Sequence, residues 1–428
     1  MKKKKILFDA TILADGYFNN SKRSGLYVVT ANILKQFLKS KDLELTLYCA
    51  PMVLKRLKTV LADDFSDYQV SIINRDHISY TELMHIKVIE AAKTNFLKNK
   101  LLSIANIILK TFNVLQRNYY APKNIIKQLN EFDGFFSPAY HAPKFIRNSN
   151  LKRYTIIYDL IPVLFANYYP ITRIFGYSWV KSVLKTLDYD DYCFSISEHT
   201  KQDFIKYSKK LDPDKITVTA LAASKNFYHC NNQKLIDLTK EKYHIPKSKK
   251  YIFSLCTLEP RKNLIFAAKA FINWVEKEQI SDLVLVLAGS EHECFVKKLE
   301  QEFQGSINFE EYIVKTGYID DKDLSPLYSA AEFFIFPSLY EGFGLPLLEA
   351  MQCGSAVIAS NSSSMPEVVG DAGLYINPKS EPELIADMNK LYHNPALKNK
   401  YAELGLKRAQ QFSWQNCATI MLNKLLND

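Results

Sequence analysis

The sequence predicts an α/β protein folded as two halves around a central cleft, and three observations carry that prediction. The chain has 428 residues, too many for one typical core. Short apolar runs alternate with stretches of helical spacing along its length, a βαβ rhythm that argues for open, mostly parallel sheets. The rhythm restarts near Lys250, after a polar, lysine-rich stretch over 231–250 that reads as the connection between the halves.

In the first half, Ile6-Leu7-Phe8-Asp9 reads as the opening strand. A polar loop is expected over 14–24 and a helix over 25–38. Further strands are expected at 43–49, 133–136, 154–158 and 192–196. The segment at about 80–127 has helical spacing and reads as an insertion projecting from this half. In the second half, strands are expected at 250–255, 283–289, 313–317, 333–336, 356–360 and 373–376. Their consecutive apolar residues suit strands buried on both faces. From Pro382 onward helical patterns run to the end. The expected division is 1–235 for the first half and 236–408 for the second. A C-terminal helix over 409–428 is expected to pack back toward the first half.

Composition excludes several classes. The chain is 47% hydrophobic and 23% charged, as in folded globular proteins. Prolines and glycines are scattered rather than periodic, which excludes collagenous and low-complexity readings. Seven cysteines are dispersed without a C-x-x-C pair, so no disulfide framework is expected. Cys49, Cys193, Cys256 and Cys353 read as small core side chains. Lys2 to Lys5 resemble the start of a leader, but Asp9 and Asp15 interrupt the apolar segment after them. A cytoplasmic location is expected, with peripheral contact at the inner face of the cell membrane. The net charge is +10 and unevenly placed: residues 1–60 hold twelve Lys or Arg against four Asp or Glu. Residues 81–130 hold eight against two, interleaved with Phe96, Phe112, Tyr119 and Tyr120. This is a face for an anionic membrane surface or an acidic acceptor, or else a solvated basic surface. Nothing resembles a zinc finger, RNP or KH motif, so no nucleic acid partner is expected.

The most informative stretch is Glu341-Gly342-Phe343-Gly344-Leu345-Pro346-Leu347-Leu348-Glu349. It comes after a buried strand that stops at Pro337. A strand, a glycine turn and a helix start form a natural place for an anion. Gly342 and Gly344 permit close backbone approach, so the amides of Phe343, Gly344 and Leu345 can meet a phosphate. Glu341 is repelled by phosphate and suits sugar hydroxyls instead; Glu349, further along the helix, suits ribose hydroxyls. Thr257-Leu258-Glu259-Pro260-Arg261-Lys262-Asn263 comes directly after the first strand of the second half. Its Arg fork and Lys ammonium suit a diphosphate, and Asn263 is placed to cap the next helix.

With Ser364-Met365-Pro366-Glu367-Val368-Val369-Gly370-Asp371-Ala372, these segments form an array. The chain resembles the retaining nucleotide-sugar glycosyltransferases of family 4, most strongly from Tyr251 to Pro378. That resemblance implies the GT-B architecture: two Rossmann-like domains facing a central cleft. It implies that Arg261 and Lys262 hold the donor phosphates and that Glu341 contacts the transferred sugar. Phe343, Gly344 and Leu345 then support sugar or diphosphate through their backbone, and Glu349 holds the ribose. Cys256 departs from the family pattern, standing where relatives often have glycine.

The first half matches less specifically. Ser24-Gly25-Leu26 resembles the family's N-terminal glycine loop, which makes Gly25 a donor-binding position. Tyr158-Asp159-Leu160-Ile161-Pro162 resembles an acceptor-side loop in which relatives often have His at the position of Tyr158. An ordinary tyrosine has a pKa of about 10, so no general-base role is carried over to Tyr158. Asp159 is the better contact for an acceptor hydroxyl, or else a turn-capping residue. Tyr140 and His141, in Pro138-Ala139-Tyr140-His141-Ala142-Pro143, are further acceptor-pocket candidates. Ser197 or Thr200 is expected to cap the helix that begins near Glu198. No metal site is expected, since Glu198-His199 lacks the H-E-x-x-H arrangement.

The expected activity is retaining transfer of a hexose from a nucleoside diphosphate sugar to a glycan or lipid-linked glycan hydroxyl. This places the chain in bacterial surface-polysaccharide or glycoconjugate assembly. No cofactor beyond the donor substrate is implied, and GDP-mannose is the family-based preference. The alternatives are a nonenzymatic sugar-nucleotide sensor or scaffold, a related epimerase or phosphorylase, and a glycogen- or sucrose-like synthase.

Overall fold

The computed structural model describes residues 3–18, 25–50, 53–73, 123–166, 174–289, 301–303 and 309–428. Two sheets dominate it, and every strand pair in them is parallel. The first contains β1 (Lys4–Asp9), β2 (Leu43–Tyr48), β3 (Ser71–Ile72), β4 (Gly134–Ser137), β5 (Lys152–Ile157), β6 (Tyr192–Ser195) and β7 (Ile216–Val218). Its order is β3-β2-β1-β4-β5-β6-β7. The second contains β8 (Lys250–Leu255), β9 (Leu283–Ala288), β10 (Ile313–Gly317), β11 (Phe334–Phe336), β12 (Val357–Ser360) and β13 (Gly373–Ile376). Its order is β10-β9-β8-β11-β12-β13. The strand order therefore reverses between β1 and β4 and again between β8 and β11. In open parallel sheets a ligand crevice forms beyond the strand C-termini at such a reversal.

Buried apolar strands explain why the sheets form. All six residues of β9 are buried, as a parallel strand covered on both faces requires. In the first half Phe8 stacks on Phe136 at 5.3 Å, and Phe37 meets Phe136 edge-on at 5.1 Å. In the second, the helix Leu264–Lys277 sends Trp274 against Tyr392, ring centroids 5.5 Å apart, while the indole N–H donates to Asn389 at 3.1 Å. The C-terminal helix Trp414–Asn427 packs on the helix Gly25–Leu38, so the chain end returns to the first sheet. The six described cysteines are buried.

Several expectations need correction. Residues 14–24 are not simply a polar loop: a helix, Thr11–Phe18, begins before them and buries Ile12, Leu13 and Ala14. The stretch read as a connecting linker holds the helix Gln233–Lys242, capped by Asn232. Its polar sequence misled because the helix buries few residues, Ile236, Thr239 and Lys240, and is secured by Lys242 bridging Asp320 and Asp323. The strands β3 and β7 were not foreseen; two and three residues are too few to show a period. The expected insertion at about 80–127 lies outside the described residues except for the start of the helix Lys123–Gln128.

Gly289 closes the β8–β9 edge of the cleft. Its φ is +130°, and a Cβ there would lie 1.8 Å from the Cys256 carbonyl oxygen. That contact displaces backbone, not a flexible side chain. Gly289→Ala is therefore expected to cost about 2–4 kcal/mol in denaturant unfolding.

Candidate active site

The loops after β8 and β11 meet where the second sheet reverses. The first carries Pro260–Lys262 as a single 3-10 turn, and Asn263 then adopts φ 60° in the left-handed region. Asn263 does not cap the next helix with its side chain, contrary to expectation. Its amide donates instead to Pro337 O (3.2 Å) and Pro378 O (2.7 Å), tying the two loops together. The Leu339 N–H donates to Arg261 O at 2.9 Å.

This scaffold holds four buried charges, none more than 9% exposed. Lys262 Nζ donates to Glu341 Oε1 at 2.7 Å, and Arg261 Nη1 lies 3.0 Å from the same oxygen. Arg261 also donates to Glu259 Oε1 (2.5 Å) and to the Tyr340 carbonyl. Burial alone would raise the Glu341 carboxyl, but Lys262 and Arg261 outweigh it and hold it below the usual carboxylate range. The site is thus two cations and two carboxylates in balance, withdrawn from water.

The rest of the loop is fixed by two serines: Ser363, which no sequence signal marks, and Ser364, which opens the third segment of the array. Ser363 Oγ accepts from the Glu341 N–H at 2.8 Å. The Ser364 hydroxyl bonds to the carbonyls of both Glu341 and Phe343, each at 2.9 Å. Gly344 takes φ +106° as the residue before the helix Leu345–Gln352, whose second position is Pro346. The first turn of any helix has amides without intrahelical acceptors, here beginning at Leu345. Phe343 turns its ring away to meet Phe412 at 6.0 Å. Glu349 projects from the second turn of this helix. Burial pushes its carboxyl up to about 7, opposed by a hydrogen bond from Tyr328 (3.0 Å) and reinforced by Asp321.

The opposing half reaches this loop directly. Ser197 caps the helix Glu198–Tyr207 by accepting from the Thr200 N–H, as one expected arrangement had it. Its hydroxyl also donates to Gly342 O at 2.8 Å, and Thr200 Oγ1 lies 3.3 Å from the same carbonyl. Glu367 accepts from the N–H groups of Glu198 and His199 at 2.6 and 2.7 Å, placing a carboxylate at that helix's positive end. Tyr340 donates to Asp203 and packs between Phe165 and His199.

Asp159 lies at this seam. A Cβ on Gly342 would come within 2.8 Å of Asp159 Cβ, so only glycine allows the approach. Asp159 Oδ1 accepts from Ile161 N–H at 3.0 Å; burial raises its carboxyl, and Arg261 and Lys262 pull the other way. The structure therefore brings Asp159 together with Arg261, Lys262, Glu341 and Gly342. Tyr158 is elsewhere employed: its hydroxyl donates to Pro138 O at 2.7 Å, and burial raises it further out of the range of proton transfer. His141 is buried, and Tyr140 donates to Asp15 at 3.1 Å, both after β4 at the first sheet's reversal. Gly25 is the exposed first residue of the helix Gly25–Leu38, with open space where a Cβ would stand. Among the described residues no group of three or more His, Cys, Asp or Glu is placed to hold a metal ion.

The raised Glu349 carboxyl has a consequence for stability. A folded pKa above the unfolded value contributes stability below the unfolded pKa, which is lost as pH rises through the folded one. Relative to Glu349→Gln, the native chain should lose up to about 2–3 kcal/mol between pH 4.5 and 7. Denaturant unfolding of both proteins across that window checks the sign.

Comparison with known proteins gives the family and the fold. The family model for group 1 glycosyl transferases matches residues 236–408. O-antigen chain mannosyltransferase B of Escherichia coli is 32% identical over 288 residues, covering 66% of this chain and 73% of that protein. The serotype-specific mannosyltransferase WbdA of Escherichia coli is 29% identical over 273 residues, covering 64% of this chain but only 33% of that protein. The crystal structure of Anabaena Alr3699/HepE in complex with UDP and glucose superposes with a TM-score of 0.64 at 15% identity, covering 99% of this chain and 100% of that one. Two parallel Rossmann-like sheets flanking a cleft are the GT-B architecture, and with this sequence likeness the chain belongs to the group 1 glycosyl transferases.

Proposed function

We propose that the protein transfers a hexose from a nucleoside diphosphate sugar to a hydroxyl of a glycan or lipid-linked glycan, with retention at the anomeric carbon. The observation that carries this reading is the buried Arg261–Lys262–Glu341 cluster at the β8/β11 reversal, facing Asp159 of the opposite half. Mannose as the sugar is supported by the names of the matched mannosyltransferases, and GDP-mannose is the donor proposed with it. Residues 1–235 form the acceptor-binding part and 236–408 the donor-binding part in this reading. The basic excess of residues 1–60 supports work at the inner face of a membrane.

The charges dictate the chemistry. The glycosidic C1–O bond breaks with its electron pair going to the diphosphate. Arg261 and Lys262, with the backbone of Phe343, Gly344 and Leu345 and the exposed helix start at Gly25, stabilise the negative charge that develops. Glu341, released from part of its contact with the two cations, meets the sugar hydroxyls. Glu349 accepts from the ribose. The acceptor hydroxyl attacks C1 from the face the phosphate leaves, and a phosphate oxygen takes its proton. Asp159 orients that hydroxyl. The closed seam at Gly342 keeps water out.

Purified protein is to be assayed with GDP-mannose and a panel of other activated sugars against extracted lipid-linked acceptors, with product mass and anomeric configuration determined. Lys262→Ala and Glu341→Ala should each lower kcat/KM by about 100-fold or more. Unchanged turnover in both removes the residue assignment, and an inverted product removes the retaining mechanism. Donor binding without any transfer would favour a sensor.

A further inference from the structure

We propose that Tyr328 is a positioning residue for the donor nucleotide, fixing one oxygen of Glu349 so that the other meets the vicinal hydroxyls of the ribose. The proposal rests on the assignment of Glu349 to the ribose given above.

Tyr328 lies on the helix Asp321–Ala330, between β10 and β11, and Glu349 lies on the helix directly after β11. The Tyr328 side chain is fully buried. Its ring is held edge-on by Phe253 (5.2 Å, 83°), Phe334 (5.3 Å, 60°) and Phe227 (6.0 Å, 73°). A site that needed only volume among three phenylalanines would be served by a fourth. A buried tyrosine instead keeps its hydroxyl where that hydroxyl has a partner. Here the hydroxyl donates to Glu349 Oε2 at 3.0 Å, and Oε1 remains to accept from a diol.

The charges around Glu349 give the contact its direction. Burial drives the carboxyl toward its neutral form, and Asp321, on the same helix as Tyr328, pushes the same way. Cys353, one turn beyond Glu349, and Cys256, near Tyr328, are thiols that burial pushes up to about 12, so both are neutral. Tyr328 is itself raised well above an ordinary phenol by burial, which keeps it a donor across the working pH range. Of the groups acting on Glu349, Tyr328 alone favours the ionised carboxylate, the form that accepts from two hydroxyls.

The test uses the full chain, with GDP and UDP and their 2′-deoxy counterparts as probes, titrated calorimetrically from pH 6 to 8.5. Tyr328→Phe preserves the ring packing and removes one hydrogen bond to a charged group. It should weaken binding of the tighter ribonucleotide about tenfold at pH 7. The rise of affinity with pH should move to higher pH. With the 2′-deoxy probe the loss should shrink to about twofold or less, because the residue acts through the diol. Asp321→Asn removes the opposing charge and should move the pH dependence the other way, a check independent of how the Phe variant folds. An equal loss on ribo and deoxy probes, or pH dependences unmoved in both variants, overturns the proposal while Glu349→Gln still weakens binding. A Glu349→Gln protein that binds like the native chain overturns the ribose assignment itself.

Discussion

Charge balance in a dry place governs this molecule. Arg261 and Lys262 are buried where the second sheet reverses, and neither is tolerable there without the carboxylates of Glu341 and Glu259. Once those contacts are required, the loops after β8 and β11 have little freedom. Asn263 adopts a left-handed backbone to reach both proline carbonyls, and Ser363 and Ser364 hold the backbone around Glu341. Gly344 can then start its helix pointing at the same spot. In the proposed reaction a diphosphate supplies the negative charge that these cations otherwise take from Glu341, so its binding exchanges one counter-ion for another rather than desolvating the cations anew.

The second half of the fold was legible because its signals are local. Six apolar strands of the second half, and the turn from Glu341 to Glu349, stand out in the sequence by period and by glycine placement. Arg261 and Lys262 were linked to Glu341 by the family resemblance, and the strand order shows why they meet: each follows a strand at the reversal between β8 and β11. What escaped notice was decided by tertiary contact. Glu259, which carries no signal of its own within its motif, is the second counter-ion of Arg261. Tyr328 lies in a stretch that no motif marks. Glu367 was read as part of a family segment, and only the fold shows it at the tip of a helix from the opposite half. Tyr158 differs in the other direction: the resemblance puts it in an acceptor-side loop, while its hydroxyl turns back to Pro138.

The seam between the halves is built from a few short-range contacts around one helix tip. Two hydroxyls share the Gly342 carbonyl, a carboxylate meets two amides, and Tyr340 bridges to Asp203. Arg408 steadies the Glu367 end by donating to the carbonyls of Glu367 and Val368 at 2.6 and 3.0 Å, with its guanidinium over Phe412. The same loop therefore carries Glu341 against Arg261 and Lys262 and Gly342 against the opposing half. The position of the carboxylate is coupled to the seam because the two residues are adjacent.

Gly342 makes that coupling a matter of covalent geometry. Its missing side chain is what lets the Asp159 carboxylate stand against the donor loop, at a Cβ distance that no other residue would permit. The seam contacts described above set hydroxyls and amides against carbonyls and carboxylates at hydrogen-bond distance, with no Lys or Arg paired to an acid among them. Debye screening acts on separated charges and scarcely touches such contacts. These contacts are therefore little weakened by ionic strength, while the approach of the proposed anionic donor to the cations beneath is screened. In that reading salt tunes capture without loosening the seam.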